Sequence, residues 1–262
     1  MSGEDHGEAV ARFYKDEEYR IVDEPEEQMV SRIFAMVGKE HGIEASAVFA
    51  PFDNLKFRWC GFGAKLNPRL VPEGRTGSIT RVRFEVSDYL QDAPESVLES
   101  IARTVILRFL KHDSVFSEET IRWLSALEFS EKHRSLYLTR RDDVGSEDGE
   151  HKSLQEAVDR LVEKGLVDRD PSIMIVWSKG KEMSKSAWSA SAMRVVCVNK
   201  VLDSDDVPDE VLDQVILRHL VHIRNPIFGD RARLNATVTA IVSKCPGYDR
   251  TVEWLKENRL TF

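Results

Sequence analysis

One segment constrains the fold of this chain more than any other: Pro208-Asp209-Glu210-Val211-Leu212-Asp213-Gln214-Val215-Ile216-Leu217-Arg218-His219-Leu220-Val221-His222. Asp205 and Asp206 precede Pro208, so acidic residues flank a proline suited to a first helical turn. Val211, Val215, Arg218 and His222 follow the i, i+4, i+7, i+11 spacing of one helical stripe, and Leu212, Ile216 and Leu220 form an adjacent one. A helix with two neighbouring apolar stripes belongs against a core. Here the first stripe ends in a cation and an imidazole, groups that such a face does not accommodate freely.

Those polar positions have the outline of a zinc-protease helix without its chemistry. An H-E-x-x-H site needs two histidines four residues apart on one helix face and a glutamate directly after the first. The five positions here are Arg218, His219, Leu220, Val221 and His222, and only the last matches. A guanidinium offers no lone pair and cannot ligate zinc. His219 stands where a carboxylate would take a proton from zinc-bound water, and without the ion there is no activated water.

The surroundings extend the likeness. A leading helix (Ser153 to Leu166) is followed by a strand with tryptophan (Ile173 to Trp177) and a Ser/Lys-rich turn. A strand at Met193 to Asn199, the Pro-x-x-Val-Leu helix, a basic Pro-containing loop and a further helix come next. The closing part is Pro246-Gly247-Tyr248…Trp254-Leu255-Lys256. In this order, residues 152–259 resemble the SprT-like zinc metallopeptidase domain. Arg81 to Glu99 resembles the strand and helix that precede that domain, so the likeness covers roughly 78–259. It implies an α+β fold, with a zincin-like domain (a small sheet packed with helices) preceded by an N-terminal α+β region. The family supplies a third histidine at the start of the helix after the active one. The corresponding stretch, Arg231 to Thr237, contains Asn235 and no histidine, and none occurs after His222. The resemblance therefore implies a degenerate site at Arg218, His219, His222 and Asn235, with no catalytic residue and no metal.

The chain also echoes itself. Val105-Ile106-Leu107-Arg108-Phe109-Leu110-Lys111-His112 repeats Val215 to His222 at all but two positions. Both follow Pro-x-x-Val-Leu, at Pro94 and Pro208, with Pro-to-His distances that differ by about one helical turn. Duplication of a strand–helix unit and convergence of two amphipathic helices both produce this pattern.

With 262 residues and 42% hydrophobic composition, the chain can build a sizeable core in two modest domains or one large one. A net charge of -8 argues against a general binder of nucleic acid or anionic membranes, with Arg218, Arg224, Arg231 and Arg233 a local exception. No apolar run approaches a membrane span, and Met1 to Asp5 is polar and acidic, unlike a secretory signal. Cys60, Cys197 and Cys245 are scattered, with neither a disulfide framework nor a zinc knuckle, which suits a cytoplasmic location. Cys197, in Arg194-Val195-Val196-Cys197-Val198, reads as a small buried hydrophobe.

Four regions follow: a loosely held N-terminus (1–24), an N-terminal α+β region (25–140), a linker (141–150) and the SprT-like domain (151–262). Pro25 opens a helix to about Lys39, with Gly42 as its stop. Strands are expected at 55–62 and 80–88, a loop from Lys65 to Gly77, and helices at about 95–111 and 118–129. The run Arg140 to Glu150 is polar, holds two glycines and lacks apolar periodicity, so the boundary falls there. Ser178 to Ser186 reads as a solvated turn, and Trp59, Trp177 and Trp188 as core residues. Gly61-Phe62-Gly63 is too short for a phosphate loop.

These features point to a catalytically inactive SprT-like homologue that acts by binding a protein or peptide, without a cofactor. One alternative is a hydrolase that keeps zinc through an altered ligand set of His219 and His222. A second is a DNA-associated binding protein. For Arg218, the position suggests a plug of the old site through an ion pair with Asp249 or Glu253.

Overall fold

The computed structural model describes residues 24–55, 57–64, 79–180, 184–226 and 231–262. The first half starts with helix α1 (Glu24–Glu40), then strands β1 (Glu44–Ala50), β2 (Phe57–Ala64) and β3 (Ile79–Ser87). A 3-10 turn (Asp88–Leu90) leads to helices α2 (Glu95–Phe109), α3 (Glu118–Ser125) and α4 (Leu127–Thr139). The second half has helix α5 (Leu154–Glu163), strands β4 (Met174–Trp177), β5 (Ala187–Ala190) and β6 (Val195–Val198), and a 3-10 turn (Lys200–Leu202). Helices α6 (Asp209–Arg224), α7 (Arg231–Val242) and α8 (Tyr248–Glu257) follow. The fold is α+β, as the irregular alternation of strand and helix patterns predicts.

The two halves share more than an element list. Their sheets have the orders β1-β3-β2 and β4-β6-β5. In each, the first strand runs parallel to the third and the second antiparallel to it. The leading helices end alike. At α1, Ile43 N–H donates to Gly38 O (2.9 Å) and Gly42 N–H to Lys39 O (3.2 Å). At α5, Leu166 N–H donates to Leu161 O (3.0 Å) and Gly165 N–H to Val162 O (2.9 Å). Gly42 (φ 72°) and Gly165 (φ 64°) are left-handed, the conformation this helix stop requires. The sequence echo sits on corresponding helices, α2 and α6, each with a proline at its N-cap. It is displaced by one turn within them: His222 lies inside α6, whereas His112 is exposed beyond the end of α2.

Packing follows from alternation along the strands. Phe84 of β3 meets Phe34 of α1 (5.1 Å between ring centroids) and Phe109 of α2 (6.0 Å). The second sheet has two apolar faces. Val176, Ala190, Val195 and Cys197 join the first-half core, which includes Phe129 and Tyr137 of α4. Trp177, Ala187, Val196 and Val198 join a second core with Leu161 of α5 and Leu212, Val215 and Ile216 of α6. Trp177 and Cys197 are therefore interior residues, and burial pushes the Cys197 thiol up to about 12. Trp188 is half-buried under the Arg141 guanidinium, 4.3 Å from its ring centre.

Several elements differ from the sequence reading. The helix expected at 118–129 breaks at Ala126, whose extended backbone (φ -65°, ψ 146°) turns Leu124 and Phe129 onto one core before α4 continues to Thr139. Strands β1 and β5 fall where no separate strand is expected. The polar run 141–150 lies along β4: Gly145 N–H donates to Trp177 O (2.8 Å), and Trp177 N–H to Ser146 O (2.7 Å). Ser178 is buried, not solvated, and its hydroxyl donates to Gly180 O (2.6 Å) and accepts Lys200 N–H (2.9 Å). The expected N-terminal segment up to residue 23, the loop Lys65 to Gly77 and the side chain of Trp59 lie outside the described residues. No helix among the described residues is long and apolar enough to cross a membrane.

Candidate functional site: the cleft beside helix α6

Helix α6 runs through the second core, and every residue from Val211 to Val221 is buried. Its polar residues Asp213, Gln214, Arg218 and His219 are therefore interior, and His222 is half-buried. Arg218 is 8% exposed. Its Nη1 donates to Thr239 Oγ1 of α7 (3.1 Å), and its Cζ lies 5.1 Å from the ring centre of Phe262. The ion pair expected with Asp249 or Glu253 is not formed. Both acids lie on the exposed side of α8, which turns Thr251 and Leu255 inward. Burial pushes the Arg218 guanidinium below its ordinary value, and Tyr248 nearby works in the opposite direction.

His219 faces the sheet. Its Nδ1 is 3.1 Å from Ser189 Oγ of β5. Burial first, then the neighbouring His222, Arg218 and Lys185, push its imidazole down to about 3, so the ring is neutral at physiological pH. Its Nε2 is buried and has no hydrogen-bond partner among the described residues. His222, one turn on, is half-buried, with its ring 5.5 Å from that of His219.

Asn235 is not brought to this cleft. Leu234, Val238 and Val242 occupy the inward stripe of α7, which leaves Asn235 exposed on the outside. Of the four degenerate positions read from the sequence, Arg218, His219 and His222 converge and Asn235 stands apart. Of the basic positions, Arg218 is interior, and Arg224 is directed at Asp168, whose backbone oxygen accepts from it.

Sequence reasoning missed Ser189, Thr239, Tyr248 and Phe262, which complete the cleft wall. They come from a strand, two helices and the 260–262 segment, and no local spacing links them. More buried polar atoms without hydrogen-bond partners among the described residues lie on α6 and on elements packed against it. They include Gln214 Oε1 and Thr251 Oγ1, with Ser186 Oγ immediately before β5. Gln214 spends its other end on Pro246 O (2.6 Å).

The donor set does not fit a zinc centre of the resembled family. A guanidinium holds one ligand position, Asn235 points away, and no third His, Cys, Asp or Glu joins His219 and His222 among the described residues. What the arrangement offers is a polar, largely desolvated cluster with a fixed cation and a neutral imidazole, packed against the outer strand β5. Comparison of the chain with protein-family models, with curated proteins and with solved structures finds no match.

Proposed function

We propose that this protein is a catalytically inactive SprT-like homologue that binds a protein or peptide partner at the α6 cleft. Arg218 carries the reading. It occupies the interior of the helix face where a metal ligand would be required, and it cannot give up its proton to become one. The reading is supported by the position of β5, an outer strand whose edge offers backbone groups to an extended chain. It is also supported by hydrogen-bonding capacity left over inside the cleft. The test is metal analysis of the full chain purified without chelators, together with a peptidase assay on unfolded protein. The expected result is zinc far below one per chain and no cleavage.

A second reading rests on the neutral His219 ring with an unengaged Nε2 beside His222. These two groups would start a metal site in a hydrolase with an altered ligand set. Stoichiometric zinc lost in His219→Ala or His222→Ala would favour it over the binding module.

A further inference from the structure

The cleft beside α6 contains a piece of the chain itself. Helix α8 ends at Glu257, and Arg259 adopts a left-handed conformation (φ 58°) that turns the chain back. Leu260 N–H donates to Leu255 O (2.8 Å), which fixes the turn and leaves Leu260 9% exposed. A left-handed arginine carries a conformational cost, which the closing hydrogen bonds of the turn and the contacts beyond it offset.

Those contacts are of two kinds. Thr261 pairs with Lys185 in parallel, immediately before β5. Ser186 N–H donates to Thr261 O (2.7 Å), and Thr261 N–H donates to Ser184 O (3.0 Å). This is strand addition to the outer edge of the second sheet, made by one residue. Next to it the Phe262 ring stacks on Tyr248, with centroids 5.7 Å apart and an interplanar angle of 6°. The same ring receives the Arg218 guanidinium at 5.1 Å. An apolar pocket of about 430 Å³ lies between this segment and α8, its wall made by Val252, Leu255 and Lys256 on one side and Leu260 to Phe262 on the other.

We infer that Leu260–Phe262 is an internal ligand of a peptide-recognition groove. The partner it stands in for is an extended segment that pairs with the edge at Ser184–Ser186 and carries an aromatic side chain for Tyr248 and Arg218. The inference rests on the binding reading above and adds the chemistry of the partner and its regulation. Backbone pairing along the edge is indifferent to sequence, so the aromatic ring supplies the selectivity. The partner must displace the resident segment, whose attachment gives it a high effective concentration.

The probe is a fluorescein-labelled, C-terminally amidated peptide of residues 256–262 (Lys-Glu-Asn-Arg-Leu-Thr-Phe), titrated by anisotropy against the full chain. Phe262→Ala opens the groove by removing the ring. Thr261→Pro opens it by removing the N–H donated to Ser184, and serves if the first variant is misfolded by circular dichroism. The opened variant is expected to bind the peptide about tenfold or more tightly than the wild type, because self-occupation lowers apparent affinity by the unoccupied fraction. Binding is expected to disappear when the peptide's phenylalanine is replaced by alanine. It is expected to weaken severalfold when Arg218→Met is added to the opened variant. Equal affinity for both proteins, no binding by a folded opened variant, or indifference to the peptide's aromatic residue would each overturn the inference and leave the non-catalytic reading standing. Peptide that binds and is then cut would overturn the non-catalytic reading and leave the groove assignment standing.

Discussion

Asp203→Asn should destabilise the protein substantially, and its size can be worked from the contacts. The Asp203 side chain is fully buried. One carboxylate oxygen accepts Glu150 N–H (2.7 Å) and pairs with Lys200 Nζ (2.7 Å), and the other accepts His151 N–H (2.9 Å) and Lys152 N–H (2.8 Å). These bonds tie the segment that joins the two halves to the turn after β6. The amide of asparagine keeps one acceptor oxygen for His151 and Lys152 and presents a donor to Glu150 N–H and Lys200. Two charge-assisted bonds are lost, each worth about 1.5–3 kcal/mol. The Lys200 share belongs near the lower bound because its ammonium is partly exposed, which leaves a total of about 3–4 kcal/mol. For a chain of this size that corresponds to a fall in Tm of roughly 10 °C, measured by calorimetry near neutral pH. The acid side gives an independent check. Burial alone would raise the Asp203 pKa, but Lys200 and the three backbone N–H groups outweigh it and hold the carboxyl well below its usual range. The folded pKa lies below the unfolded one. The stabilisation is therefore complete above the ordinary carboxylate range near pH 4 and is lost as pH falls below it. The variant should show a flatter stability profile between about pH 5 and pH 2. A variant that melts within about a degree of wild type, with an unchanged acid profile, would refute this assignment of Asp203.

Three further outcomes follow from the same geometry. Burial pushes the folded His219 imidazole down to about 3, from an ordinary value of 6.5. Its contribution to stability is therefore present above pH 6.5 and is lost as pH falls towards 3; urea unfolding of His219→Asn at intermediate pH should lack that loss. Gly145→Ala places a Cβ 2.9 Å from Trp177 O, a backbone atom held in the sheet, and should lower stability by about 1–3 kcal/mol in denaturant titrations; a neutral result would mean that the 141–150 segment does not lie against β4 in solution. Arg218→Met removes a buried cation that has no carboxylate partner among the described residues, and should leave stability equal or raise it by about 1–2 kcal/mol; a loss larger than about 1 kcal/mol would contradict that reading of the site.

Much of the second half was legible because its signals are local. Pro208 caps α6 and its apolar stripes are buried as spaced. Ser153 accepts Glu156 N–H at the start of α5, and Gly165 stops that helix with a positive φ. The alternation of Val82, Phe84 and Val86 marks β3, with all three buried. Strand β1 was not legible, because Glu44 to Ala50 is rich in alanine, a helix former, and its strand identity comes from pairing with β3 thirty-odd residues away. The segment 126–129 reads as the end of one helix, because nothing in an alanine announces an extended backbone. The run 141–150 reads as a polar linker, but it is attached along β4. Its attachment depends on Asp203, more than fifty residues on, and no local spacing records that bond. Within the cleft, α6 announced Arg218, His219 and His222, whereas Ser189, Thr239, Tyr248 and Phe262 reach it from four other places in the chain.

The most direct measurement is the zinc content of the full-length chain by inductively coupled plasma mass spectrometry after purification in metal-containing, chelator-free buffer. With a guanidinium in place of a lone-pair donor at position 218, the expected value is close to zero and unchanged in His222→Ala. A ratio near one ion per polypeptide, abolished by that substitution and accompanied by proteolysis that stops when the ion is stripped, would contradict it.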